Sequence, residues 1–141
     1  MLKTLVPIDG SDSALRALRH VLALRKAGLG VEIHLLNVQM PIASGHAKMF
    51  ISRDDYNRYC QEEAIAILAL ARALLQEEDV DYRHHIVVGH IEETITRFAR
   101  EQQMDHIVMG ARGTSAIADL VMGSVASKVI HLSEVPVTLV K

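Results

Sequence analysis

A doubly wound α/β fold, one five-stranded parallel sheet with helices on both faces, is what this sequence predicts. Three observations predict it. Short apolar runs alternate with segments of helical period from end to end, giving β-α-β-α-β-α-β-α-β. At 141 residues, half apolar and 23 % charged, the chain reads as a single globular domain, 1–141, without repeat or linker. Strands alternating with helices bury both faces of a parallel sheet, and right-handed crossovers leave only a few doubly wound orders.

Each element has a local cause. Leu2 to Ile8 is a short apolar run, ended by Asp9-Gly10-Ser11-Asp12, which both turns the chain and offers Ser11 or Asp12 as a helix cap. Leu15, Leu18, Val21, Leu22 and Leu24 then recur at mostly helical spacing, and Gly28 and Gly30 stop the helix. Val31 to Val38 reads as a second strand. Met40 to Ser52 has no period and reads as a long loop. Ser52 with Asp55 resembles a capping box, opening a long helix that carries Tyr56, Cys60, Ile67, Leu70, Ala71 and Leu74 inward. Val80 to Val88 is the third strand, ended by Gly89. Ile91, Ile95, Phe98 and Ala99 mark the third helix and Asp105 to Gly110 the fourth strand. A last helix from about Ser124 to Leu132 and a last strand, Val135 to Val140, complete the pattern.

Composition narrows the function. A net charge of −2 gives no electrostatic case for nucleic acid or an anionic membrane, and 4 % aromatic residues supply no base-stacking platform. Cys60 is the one cysteine, so no disulfide framework exists, and its helical position suits a buried spectator thiol. Met1 to Ile8 is apolar but meets Asp9 too soon for a signal peptide or membrane span, so a cytoplasmic setting is expected. Eight histidines invite a metal reading. His84 and His85, however, point to opposite faces of a strand, and no helical His-x-x-x-His pair exists. His34 and His106 are expected to be satisfied, partly buried imidazoles. Glu62-Glu63, Glu77-Glu78 and Glu92-Glu93 are expected on solvated helix faces or ends, the last pair also suiting a helix start.

The functional signal lies at the strand ends. Ligands on doubly wound sheets bind beyond the carboxyl ends of the strands, near the point where strand order reverses. Asp9, Val38 and Gly110 all fall at such ends. Gly110-Ala-Arg-Gly113, nine residues, then Gly123-Ser124 follows Ile107-Val108-Met109 and leads into a helix. Glycines let the backbone turn and approach an anion, and the first N–H groups of a helix have no partner inside it. That arrangement makes a phosphate cradle. Gly110 and Gly113 could instead serve only a turn, Ser124 only a helix cap, and Arg112 only a solvated loop. The loop lacks the Gly-Lys-Ser/Thr ending of a P-loop, so backbone donors would carry the binding. Asp9 could accept from a ribose hydroxyl or adenine amine, orient metal-bound water, or simply form an Asx turn before Gly10.

The chain resembles the universal stress proteins over essentially its full length. Val6-Pro7-Ile8-Asp9-Gly10-Ser11, with Ala14 and Ala17, is similar to that family's opening strand and turn. Val135-Pro136-Val137-Thr138-Leu139-Val140 is similar to its closing strand. Gly110-x-x-Gly113-x9-Gly123-Ser124 matches the spacing of its ATP-binding branch. The resemblance implies a sheet ordered 3-2-1-4-5, a homodimer paired through Val135 to Val140, and ATP at the carboxyl edge. It implies adenine and ribose near Pro7, Asp9 and Val38, with Met109 and Gly110 bordering the ribose. Arg112, Gly113, Gly123, Ser124 and Val125 would surround the phosphates, and Mg2+ or Mn2+ would be bound mainly through phosphate oxygens.

The implied function is a nucleotide-dependent sensor or regulator acting on another protein, with at most slow ATP hydrolysis. No nucleophile, base or arginine finger can be named. Two rivals stand beside it. One is a dimeric interaction module that binds no nucleotide. The other is an adenylating enzyme, since Asp9-Gly10-Ser11-Asp12-Ser13 loosely resembles the Ser-Gly-Gly-x-Asp-Ser loop of ATP pyrophosphatases, with one glycine fewer.

Overall fold

The structure is a computed structural model and describes residues 1–41, 52–114 and 122–141. Its elements run β1 (Leu2–Pro7), α1 (Asp12–Lys26), β2 (Val31–Gln39), α2 (Arg53–Glu77), β3 (Tyr82–Val88), α3 (Ile91–Glu101), β4 (His106–Gly110), α4 (Ser124–Leu132) and β5 (Val137–Val140). All strand pairs are parallel and the sheet order is β3-β2-β1-β4-β5. The order reverses between β1 and β4, so the crossovers place α1 and α2 on one face and α3 and α4 on the other.

Alternation along the central strands feeds two cores. Val6, Ile33, Leu35 and Val108 pack with Leu18, Val21, Leu68 and Leu75 from α1 and α2. Leu5, Leu36, Ile107 and Met109 pack with Ile95, Ala99, Ala126 and Val129 from α3 and α4. Both faces are apolar because both are covered. No described helix is long and apolar enough to cross a membrane.

Several boundaries shift for physical reasons. Asp79 adopts φ 53°, the left-handed turn ending α2, so Val80 is buried but precedes the ladder, which starts at Tyr82 rather than Val80. The last strand begins at Val137 rather than Val135. The Ser133 hydroxyl bonds the Val135 backbone on both sides, and Pro136 brings only a carbonyl, which accepts from the Ile107 amide at 2.9 Å. Leu70 is not inward: it is 68 % exposed, while Cys60, Ala64, Leu68, Ala71 and Leu75 form the buried stripe of α2. The expected loop from Met40 to Ser52 lies outside the described residues over 42–51, as does 115–121 of the glycine-motif spacer.

Two helices begin as the capping residues demand. Ser11 Oγ accepts from the Ala14 amide at 3.2 Å, and Ser52 Oγ from the Asp55 amide at 3.1 Å. Cys60 is buried and free. Glu92 is less solvated than expected: its carboxylate accepts from Lys128 Nζ at 3.2 Å, tying α3 to α4. Its own backbone amide, then Lys128, holds its carboxyl below the usual carboxylate value.

Candidate functional site

A cavity of about 550 Å3 opens beyond the carboxyl ends of β1, β2 and β4, where the strand order reverses. Its size is that of a small-molecule pocket. All ten residues singled out from the sequence line it: Pro7, Asp9, Val38, Met109, Gly110, Arg112, Gly113, Gly123, Ser124 and Val125. The structure adds Ile8, Ser11, Ala14, Leu36, Asn37, Ile91, Ile95, Thr114, Met122, Ala126 and Ser127.

The walls differ in chemistry. From β2 and α3 come Leu36, Val38, Ile91 and Ile95, a surface for a flat apolar group. From the loop after β4 and the start of α4 come backbone amides, Thr114, Ser124 and Ser127. Between them Asn37, 2 % exposed, donates to the Ile8 carbonyl at 2.8 Å and accepts from Gln39 at 2.7 Å, pinning the ends of β1 and β2 together.

The polar wall is built around Gly110, Gly113 and Gly123. A Cβ on Gly110 would lie 2.5 Å from Ser13 Oγ and 2.8 Å from the Ser13 backbone carbon. Glycine at 110 is therefore required by the approach of α1. Gly113 is different, because its nearest neighbour would be Asp9 Oδ2 at 3.4 Å, on the cavity side. The loop itself is wired to the sheet. The Ala111 amide donates to the Val140 carbonyl at 2.7 Å, the same oxygen that accepts from Ser13 Oγ at 3.1 Å. The Gly123 amide donates to the Ala111 carbonyl at 2.7 Å, so that N–H is already used within the protein.

Asp9 makes the Asx turn considered for it, with its other oxygen on the cavity side. Its Oδ1 accepts from the Ser11 amide at 2.9 Å and from the Ser11 hydroxyl, an Asx turn made possible by Gly10 at φ 86°. Its Oδ2 faces Gly113 across the cavity edge. Arg112 is exposed, as a solvated loop arginine would be.

Helix α4 is the unusual element. Its N-cap is Gly123, which has no side chain to bond the first turn, and Ser124 is the first helical residue rather than the cap. Its first turn carries no acid, whereas α1 has Asp12, α2 has Asp54 and Asp55, and α3 has Glu92 and Glu93. The first intrahelical bond seen is from the Ser127 amide to the Gly123 carbonyl at 3.0 Å. The amides of Ser124, Val125 and Ala126 precede it, at the positive end of the helix dipole, on the cavity wall. The sequence signal for this was readable: Gly-Ser-Val-Ala-Ser has neither a carboxylate nor an Asp/Asn cap.

No group of three or more His, Cys, Asp or Glu able to hold a metal occurs among the described residues. The two anticipated histidines are satisfied. His34 bonds Glu32 and His85, and His106 Nε2 lies 2.8 Å from Thr138 Oγ1. Sequence spacing could not foresee the His34–His85 contact, which depends on the register of β2 against β3.

The universal stress protein family model matches residues 1–141, the whole chain. This chain belongs to that family. Universal stress protein YxiE of Bacillus subtilis is 30 % identical over 146 residues, covering 99 % of this chain and 98 % of that one. Universal stress protein Slr1230 of Synechocystis is 36 % identical over 75 residues, covering 53 % of this chain and only 26 % of that longer protein. Among solved structures, MJ0577 of Methanocaldococcus jannaschii superposes with a TM-score of 0.83 at 31 % identity, covering 99 % of this chain and 95 % of that one. The universal stress protein of Archaeoglobus fulgidus in complex with dAMP gives 0.69 at 26 % identity, covering 100 % and 98 %. A universal stress protein in complex with cAMP gives 0.72 at 25 % identity, covering 99 % and 97 %.

Proposed function

We propose that this universal stress protein binds an adenine nucleotide, ATP with a divalent cation, and acts as a nucleotide-dependent sensor or regulator read by another protein. The observation that carries this reading is the uncapped, acid-free N-terminus of α4 on a cavity whose opposite wall is apolar. Adenylate complexes of related structures support it. The base rests between Val38 and the α3 isoleucines, Met109 and Gly110 border the ribose, and the phosphates meet the amides of Gly113 and Ser124 to Ala126.

The magnitudes are sufficient without a lysine. Hydrogen bonds to a charged group contribute about 1.5–3 kcal/mol each, and a helix terminus adds about 0.3–1 kcal/mol. Three such bonds, less ordering costs, with the base buried, reach about −8 kcal/mol, which is micromolar. Asp9 Oδ2, on the cavity side beside Gly113, would help hold a Mg2+ or Mn2+ brought in by the phosphates, and such a cation would offset the repulsion between them and that carboxylate. No dedicated base for an attacking water can be named among the described lining residues, so hydrolysis is slow at most.

The protein works in the cytoplasm as a homodimer. Strand β5 is the sheet edge, and its residues are half-buried in one chain. The Pro136 and Val140 carbonyls point to β4, so the Val137 and Leu139 amides point to the open side. A twin chain satisfies them. Val137→Pro removes one outward N–H, keeps the β4 ladder, and is expected to convert dimer to monomer by light scattering.

Mass spectrometry of small molecules released on denaturation, then calorimetry with ATP, ADP and AMP with and without Mg2+, tests the ligand. A protein that releases no adenylate and gives no heat with any of the three ends this reading, leaving a module that works by contact alone.

A further inference from the structure

A histidine pair on the β2–β3 side of the sheet, His34 buried and His85 half-buried, takes no part in lining the cavity. His34 Nε2 lies 2.8 Å from Glu32 Oε1, and His34 Nδ1 lies 2.9 Å from His85 Nε2. The two rings are within 6° of parallel with centroids 5.2 Å apart. With nitrogens only 2.9 Å apart, this is an edge-to-edge bond in a common plane, not a face-to-face stack. His34 is 3 % exposed. His85 packs against Phe98 of α3, centroids 4.8 Å apart at 55°.

Proton positions follow from valence. The Glu32 carboxylate only accepts, so His34 Nε2 donates to it. A neutral His34 then offers a lone pair at Nδ1, and His85 donates from Nε2. One added proton is accommodated: His34 donates on both sides, and His85 turns its lone pair to Nε2 and keeps its proton on Nδ1. A second added proton puts two N–H groups and two positive charges face to face across the bond. That state cannot keep the contact.

We propose that Glu32, His34 and His85 form a one-proton relay whose second protonation unseats Phe98 and loosens α3 from the sheet. Helix α3 also carries Ile91 and Ile95 on the cavity wall, so acid would open the side proposed to hold the base. That last step rests on the nucleotide reading; the loosening of α3 does not.

The surroundings favour one proton over two. Around the pair, β2 supplies the Glu32 carboxylate, β3 supplies Arg83 and His84, and Lys3 of β1 acts on Glu32. From α3 the contact is the Phe98 ring, and no charged α3 side chain is among the groups acting on His85. Burial first, then His34, His84 and Arg83, pushes the His85 imidazole below its ordinary value of 6.5. The unlatched ring regains that ordinary value, so acid favours the unlatched state.

The test is amide exchange of α3 against α2 as internal reference, without ligand, from about pH 7.5 to about pH 5.5, corrected for intrinsic rates. Protection of α3 is expected to fall severalfold more than that of α2, because the unlatched ring takes up the proton that the latched one resists. His85→Gln, which keeps a donor toward His34 but takes no proton, is expected to erase the difference. Parallel loss in both helices, or extra α3 loss persisting in His85→Gln, overturns the relay. Should that variant not fold, the wild-type ring signals decide. Two coupled steps, the second coinciding with α3 loosening, support the relay, and two independent single-site curves overturn it. A protein that shows the α3 effect but binds no ATP keeps the relay and loses only the proposed ligand.

Discussion

Helices α1 and α4 both begin on the wall of one cavity, and they treat their N-termini in opposite ways. At α1 the positive end is used inside the protein. Ser11 caps the Ala14 amide, Asp9 bonds Ser11, and Asp12 sits in the first turn. At α4 nothing comparable exists: the cap is glycine and the first turn is Ser-Val-Ala. A glycine cap is a small loss of stability, about a few tenths of a kcal/mol against a serine or aspartate cap. Where a cavity lies in front of it, that loss becomes a place for an anion. The difference between two similar helix ends separates a structural turn from a candidate phosphate site.

Making α4 resemble α1 is the sharpest way to break the comparison. Ser124→Asp brings a carboxylate to the helix end, and ATP affinity by calorimetry is expected to fall at least tenfold, roughly 1.4 kcal/mol or more. Thermal stability should hold or rise slightly, because the acid satisfies the dipole by about 0.3–1 kcal/mol. An unchanged affinity would remove α4 from the phosphate site. Next in size, Gly113→Val places a branched side chain on the cavity face beside Asp9 and is expected to weaken ATP about tenfold with the fold kept.

The reverse experiment acts on α1. Ser11→Ala removes a cap and is expected to lower unfolding free energy by about 1 kcal/mol. Affinity should change less than about threefold, under 0.7 kcal/mol, because that helix end is already satisfied by the protein. A large affinity loss with intact stability would mean that α1, not α4, faces the anion.

The smallest expected effect is on pH. Burial holds the imidazoles of His85 and His106 below 6.5, with nearby histidines adding to it. The unfolded chain then binds more protons below about pH 6.5, so stability is full above that value and is lost as pH falls toward the depressed values. Denaturant midpoints that stay flat from neutral into this range would contradict it.

Much of this was legible in the residues. Alternating strands, capping serines and glycine stops each follow from local chemistry, and so does the gathering of Asp9, Val38 and Gly110 at one edge. Leu36, Ile91 and Ile95 were legible only as apolar, because periodicity marks a buried face without saying whether protein or cavity lies against it. Leu70 misled for a related reason. It falls near the stripe of α2, but Leu68, Ala71 and Leu75 already fill the space over the sheet. At Gly110 the body in contact is the first turn of α1, more than ninety positions away in the chain. Such proximity is set by the crossover, and a linear motif does not carry it.

One oxygen joins the loop to the sheet margin. The Val140 carbonyl takes the Ala111 amide and the Ser13 hydroxyl together, at the tip of the strand expected to meet a twin. A loop that moves to grasp its guest must stretch one of those bonds or drag the strand tip along. Occupancy on one molecule would thereby reach the seam with its neighbour through a single peptide group, and by reciprocity the seam would tune how firmly the guest is kept.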